Sequence, residues 1–169
     1  AGDYEPYDPW PRFVVLKVLR QYADATGDER AVDAVEGFCR YLHAALRNRP
    51  LFSWGRFRWA DLVVTVDWLY ERTGEAWLLD LADLAAEQGY DWTDHFVDFR
   101  YPRPQPADEH ALETHVVNNA MGVKAPAVRA RRASVSAPEA GPSGTDAVDA
   151  GIEALDEFHG QVTGAFSGD

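Results

Sequence analysis

The chain has 169 residues, with 16 Lys and Arg against 28 Asp and Glu for a formal charge of -12. That length supports one core burying roughly 68–70% of the unfolded surface, and that charge repels phosphate backbones. The single cysteine, Cys39, excludes an intrachain disulfide and any intrachain zinc site built from several thiolates.

No segment approaches the roughly 18 consecutive apolar residues of a membrane span, and residues 1–10 have neither the basic start nor the apolar run of a leader. The expectation is a soluble chain with no membrane or nucleic-acid partner, the cytoplasm being favoured over secretion. Arg129, Arg131 and Arg132 have no nearby aromatic residue on which a base could stack. Six Trp, seven Tyr and eight Phe suit either a thick helical core or a wall facing a sugar.

The first element pair is marked by Val14, Val15, Val18, Leu19 and Tyr22, then by Ala31, Val35, Phe38, Cys39, Leu42 and Leu46, all at helical spacing. Thr26-Gly27-Asp28 separates the two runs, which predicts a helical hairpin over about 12–25 and 29–47. Gly27 is the permissive residue after the first helix, and Asp28 caps the second. A second hairpin carries Trp59, Leu62, Val63, Val66 and Leu69, then Trp77, Leu78, Leu81, Leu84 and Ala85. Its punctuation, Thr73-Gly74-Glu75, lies 47 residues after the first, and a near-repeat of this kind predicts helical pairs stacked side by side.

Residues 89–109 break the rhythm with Gly89, Pro102, Pro104 and Pro106. Helical spacing returns near Ala111 to Ala127, with Pro126 at a kink or an end, while 129–144 reads as an irregular linker or altered loop. The Ala-Val-Asp-Ala of 31–34 recurs at 147–150, so a third pair is expected, with the His115 helix as its first member. The fold expected over residues 1–169 is a single all-α segment of helical hairpins, either an arc of a larger barrel or a compact bundle that resembles one.

Two clusters carry possible chemistry. Arg56, Arg58 and Asp61 surround Trp54, Phe57 and Trp59, either as an aromatic and ionic rim for a sugar ring or as a capped helix start with a surface ion pair. His115, Asn118 and Asn119 share a helical face, either converging on a ligand or serving as a satisfied histidine beside solvated amides. His159-Gly160 either approaches a ligand or caps a helix. His95 and His110, without metal-ligand spacing, read as exposed or structural. Carboxylates such as Asp24, Asp28, Asp61, Asp67 and Asp80 read as solvated faces, and no pair demands the arrangement of a glycosidase.

RFRWADLVVTVDWLYERTGEAWLLDLADLAAEQGYDW, then THVVNNAMGVKAPAV, then FHGQVTGAFSGD, in order, resemble the N-terminal half of the catalytic domain of glycoside hydrolase family 127, the β-L-arabinofuranosidase-like proteins. His115-Val-Val-Asn-Asn-Ala-Met with Lys124-Ala-Pro-Ala is the most specific part. The resemblance implies an (α/α)6 barrel and a substrate with a terminal arabinofuranosyl or related sugar. It places the residue matching His115 toward substrate, with Trp54 to Asp61 near the same pocket. Substrate-binding residues expected on these grounds are His115, Asn118, Trp54, Trp59, Arg58, Asp61 and His159.

The family's zinc-bound cysteine nucleophile, its companion cysteines and its glutamates lie beyond the matched segment, and Cys39 corresponds to none of them. Neither catalytic residue nor metal ligand is therefore assigned here, and no cofactor, zinc belonging to a full-length relative. The chain also departs from the family where RARRASVSAPEAGPSG replaces an aromatic helix end and a TGD-like turn. The expectation is an incomplete glycoside hydrolase-like protein, inactive alone, that self-associates through exposed helical faces. The rival is a helical-repeat carbohydrate-binding or scaffolding protein.

Overall fold

The computed structural model describes residues 8–97 and 111–136, which fall into two compact units meeting in sequence between Tyr90 and Asp91. Every regular element among the described residues is helical, as the hydrophobic periodicity requires. In the first unit these are α1 (Trp10–Thr26), α2 (Glu29–Ala45), α3 (Ser53–Phe57), α4 (Trp59–Thr73) and α5 (Trp77–Gln88).

Both predicted hairpins form, and their turns are built alike. Gly27 and Gly74 each sit at φ 69°, a left-handed conformation that glycine adopts without the steric penalty of a β-carbon. Their N–H groups donate to Ala23 and Tyr70 carbonyls, both at 2.8 Å. The preceding threonines close the helix ends: Thr26 Oγ1 donates to the Tyr22 carbonyl at 2.7 Å, and Thr73 Oγ1 to that of Leu69 at 3.0 Å. Each hydroxyl then accepts a backbone N–H two residues on, from Asp28 and from Glu75.

α1 packs on α2 and α4, while α5 packs on α4 and α2, so the hairpins stack with like helix beside like helix. α4 takes the most enclosed place, burying Trp59, Ala60, Leu62, Val63, Thr65, Val66, Asp67 and Leu69. Asp67, read from sequence as part of a solvated face, is only 6% exposed because α4 has neighbours on several sides. Polar bonds tie α4 to the first hairpin as well. The Trp68 indole donates to Asp24 at 2.8 Å, and Arg72 lies 3.6 Å from Asp24 and 3.5 Å from Glu29.

α1 is apolar on two opposite faces. It buries Phe13, Leu16 and Ala23, whereas Val14, Val15, Val18 and Tyr22, the residues whose spacing announces the helix, are 45–57% exposed. Gln88 closes the unit's other end, donating to the Leu46 carbonyl and accepting from the Leu51 N–H, both at 2.9 Å.

The second unit contains α6 (Trp92–Val97), a 3-10 turn (Leu112–Thr114), α7 (Val116–Gly122) and α8 (Ala125–Ser136). The run expected over 111–127 is interrupted at Val123–Lys124, and Pro126 lies in the first turn of α8, where its missing N–H has no helical acceptor to serve. Residues 129–136, read from sequence as the start of a linker, are helical. Their alanines and arginines have high helix propensity, which outweighs the weak apolar periodicity. Residues 137–144 and the expected helix around 146–159 lie outside the described residues.

Two expectations follow. Gly37 faces open space in mid-helix while a β-carbon on Gly89 would collide with the Trp59 indole. Gly37→Ala should therefore raise stability by about 0.5–1 kcal/mol, and Gly89→Ala should lower it, in urea titrations. Asp28 is held at about 2, below the ordinary 3.8 of an aspartate, chiefly by the Arg30 guanidinium and then by the Arg30 backbone N–H. A carboxylate depressed in the fold stabilises above its unfolded pKa and ceases to as the pH falls through its folded one. The melting-temperature deficit of Asp28→Ala at pH 7 should thus narrow from about pH 4 downward and close near pH 2; a deficit independent of pH would contradict this.

Candidate functional site

The rim picked out by the aromatic and charged spacing is assembled in the first unit around Arg58. Its guanidinium carbon lies 4.3 Å from the Trp10 ring centre and 4.6 Å from that of Trp54, within the range of cation–π attraction on both sides. Arg58 is 9% exposed, and burial lowers its pKa against the opposing pull of Asp61 and Asp8. Trp54 and Asp61 are half-buried.

Asp8 organises the same place. Its carboxylate accepts from the Trp10 N–H at 3.0 Å and from the Trp54 and Gly55 N–H groups at 2.9 and 3.0 Å, capping α1 and α3 together. Between these caps Ser53 takes φ 48°, the single positive φ of a non-glycine residue among those described. Such a conformation costs roughly 1–2 kcal/mol in an L-residue, and here Asp8 holds the two N–H groups that follow it. Gly55 leaves room for this: a β-carbon there would lie 3.1 Å from both the Asp8 carboxylate and the Pro9 ring.

Trp59 has a different part. It is fully buried, its indole N–H donates to the Tyr90 carbonyl at 3.0 Å, and it fills the space beside Gly89. The ring offered by the sequence as a sugar-facing wall is a packing element, since an indole at the start of the enclosed helix α4 has its faces covered. Tyr90 returns the connection by donating its N–H to the Arg56 carbonyl and stacking on Phe57 at 4.7 Å.

In the second unit, His115 is the residue preceding α7 and is exposed, whereas Asn118 is fully buried and donates to the Leu112 carbonyl at 2.8 Å. Asn119 Nδ2 donates to the Glu113 carbonyl at 2.7 Å and the His115 carbonyl at 3.2 Å, and its Oδ1 lies 3.0 Å from His95 Nε2. His95 is 5% exposed and set edge-on to Trp92 and Phe96. Gly122 allows this neighbourhood, because a β-carbon there would meet the Trp92 indole. Asp91 caps α6 through the Thr93 and Asp94 N–H groups and lies 3.8 Å from Arg129 of α8. His159 and His110 lie outside the described residues.

No family model, curated protein or solved structure matches the chain. Among the described residues no three His, Cys, Asp or Glu side chains gather as a metal site, and no helix is long and apolar enough to cross a membrane. Cys39 is fully buried, and its thiol is pushed up to about 12 by burial and then by Glu36.

Asp8 and Trp10 escaped the sequence reading because they meet Trp54 and Arg58, respectively, from more than 40 residues away. Trp54→Leu and Arg58→Leu combined in a double-mutant cycle should show a coupling of about 0.5–2 kcal/mol in chemical denaturation. Strict additivity would remove the stacking interpretation.

Proposed function

We propose that this chain is an arc of a helical toroid of the family-127 glycoside hydrolase type, which binds a terminal arabinofuranosyl or related sugar and does not hydrolyse it unaided. The observation that carries the reading is the stacking of two hairpins with matching turns, α1 beside α4 and α2 beside α5, as two concentric helix layers would require locally. The two-faced α1 supports it, because a helix within an arc has neighbours on both sides.

The polar residues of the reading divide by what they can still offer. Trp54 retains exposed surface beside a fixed cation, the combination that rests a sugar ring on an aromatic face and orients its hydroxyls. His115 is exposed and Asn119 is half-buried beside it. Asn118 acts by shaping the turn before α7, and Trp59 by supporting the rim from beneath. A cleavage step of the family's kind requires a thiolate on zinc held by several convergent ligands, whereas Cys39 is the chain's single cysteine and is buried in α2.

A second reading, a helical-repeat scaffold, is favoured by the Val14, Val15, Val18 and Tyr22 stripe, an apolar surface of the kind that contacts another protein or a second copy.

Titration of the chain with methyl β-L-arabinofuranoside separates the two. The sugar reading expects saturable shifts of the Trp54 indole or of the His115 ring signals, each within its own unit, and no release of arabinose, with or without zinc. His115→Gln, losing one hydrogen bond to a neutral hydroxyl, should weaken binding roughly three- to tenfold with little change in melting temperature. Turnover abolished by Cys39→Ala would overturn the non-hydrolytic assignment. Absence of any shift, together with concentration-dependent association in ultracentrifugation that Val18→Glu prevents, would favour the scaffold.

A further inference from the structure

We infer that Asn119, oriented by the buried His95, is a positioning residue that fixes how His115 is presented. The inference deepens the sugar-binding reading above and rests on it only for its ligand arm.

Asn119 has two amide hydrogens and both are committed, one to the Glu113 carbonyl and one to the His115 carbonyl. That assignment leaves Oδ1 as the atom facing His95 Nε2 at 3.0 Å. An amide oxygen accepts only, so Nε2 must carry a proton. The tautomer of His95 and the rotamer of Asn119 are therefore a single choice. Reversing the amide would set its NH2 against a protonated nitrogen and leave two carbonyls facing an oxygen.

The carbonyls so held lie on either side of Thr114, one inside the 3-10 turn and the other just before α7. Asn119 also donates its own backbone N–H to the His115 carbonyl at 3.1 Å, so this carbonyl receives two bonds from one residue. The His115 backbone is at φ -69°, ψ 120°, an extended conformation between two helical ones. Asn118 secures the same turn from the Leu112 side. His95 lies between Trp92 and Phe96 on α6, so the amide of Asn119 is aligned by a ring that is itself locked by packing. The exposed imidazole of His115 thus projects from a backbone with little freedom to reorient, which reduces the ordering lost when it meets a ligand.

The test is long-range 1H–15N correlation of the histidine rings in the full chain at neutral pH, with Asn119→Ala, His95→Leu and His95→Gln variants. Wild type should show His95 protonated on Nε2. Asn119→Ala and His95→Leu should each shift and broaden the His115 ring signals. His95→Gln, whose side-chain N–H2 can still reach Asn119 Oδ1, should retain the wild-type His115 signals. It therefore keeps the proposal testable if the other variants fail to fold.

With methyl β-L-arabinofuranoside, Asn119→Ala should weaken binding roughly three- to tenfold, and Asn119→Ala combined with His115→Gln should bind no worse than His115→Gln, because Asn119 acts through His115. His95 protonated on Nδ1, or His115 signals indifferent to both disruptive variants, would overturn the positioning role. Absence of sugar binding in wild type would sink the sugar reading, while the tautomer and the His115 signals would still decide the positioning role.

Discussion

The fit of the Trp59 indole against Gly89 governs how the first unit closes. An indole with no exposed surface needs a neighbour without a side chain, and it needs an acceptor for its N–H. Gly89 supplies the first and the Tyr90 carbonyl the second. Once these are set, Tyr90 meets Phe57 and Arg56, while the adjacent Gln88 binds both ends of the connection between α2 and α3. The short helix α3, and with it Trp54, is consequently held in place by the far end of the second hairpin. The rim around Arg58 inherits its rigidity from a packing contact in which it takes no part.

Acidic residues outnumber basic ones 28 to 16, and several of those described serve as helix caps and cross-links. Asp8, Asp28 and Asp91 each accept backbone N–H groups at a helix start, and Asp24 receives the Trp68 indole. A carboxylate in these roles is favoured by the unpaired N–H groups at the positive end of a helix. For Asp8, Asp28 and Asp91, position follows from where helices begin.

What the sequence discloses follows from the range of the interactions involved. The TG turns were legible because a left-handed glycine and its flanking threonine act within five residues. The helices were legible as periods, but a period does not say which face is covered, and α1 with two apolar faces concealed Phe13, Leu16 and Ala23 as its buried set behind the more regular valines. α8 was missed where propensity without amphipathicity forms the helix. At the candidate site, Trp54, Arg58 and Asp61 declared themselves by proximity. Asp8 could not, since its capping of a distant helix leaves no local trace, and the His95–Asn119 pair spans 24 residues in the same way. Burial of Trp59 and Asn118 was illegible for a further reason, because the same polar or aromatic residue suits a cleft wall and a satisfied core.

The equivalence of the two threonine–glycine turns bears on how such a chain comes to exist. Each reversal is completed by its own few residues and asks nothing of the rest of the molecule. Contacts of short sequence separation form early and cheaply in loop-closure entropy, so each hairpin is a natural folding unit and the docking of one on the other is the later event. A unit that folds on local instructions can also be copied in tandem without rewriting its neighbours. Growth by duplication would then be limited only by the surface between successive copies, and the 47-residue interval between Gly27 and Gly74 is the length of the piece that such a duplication would copy.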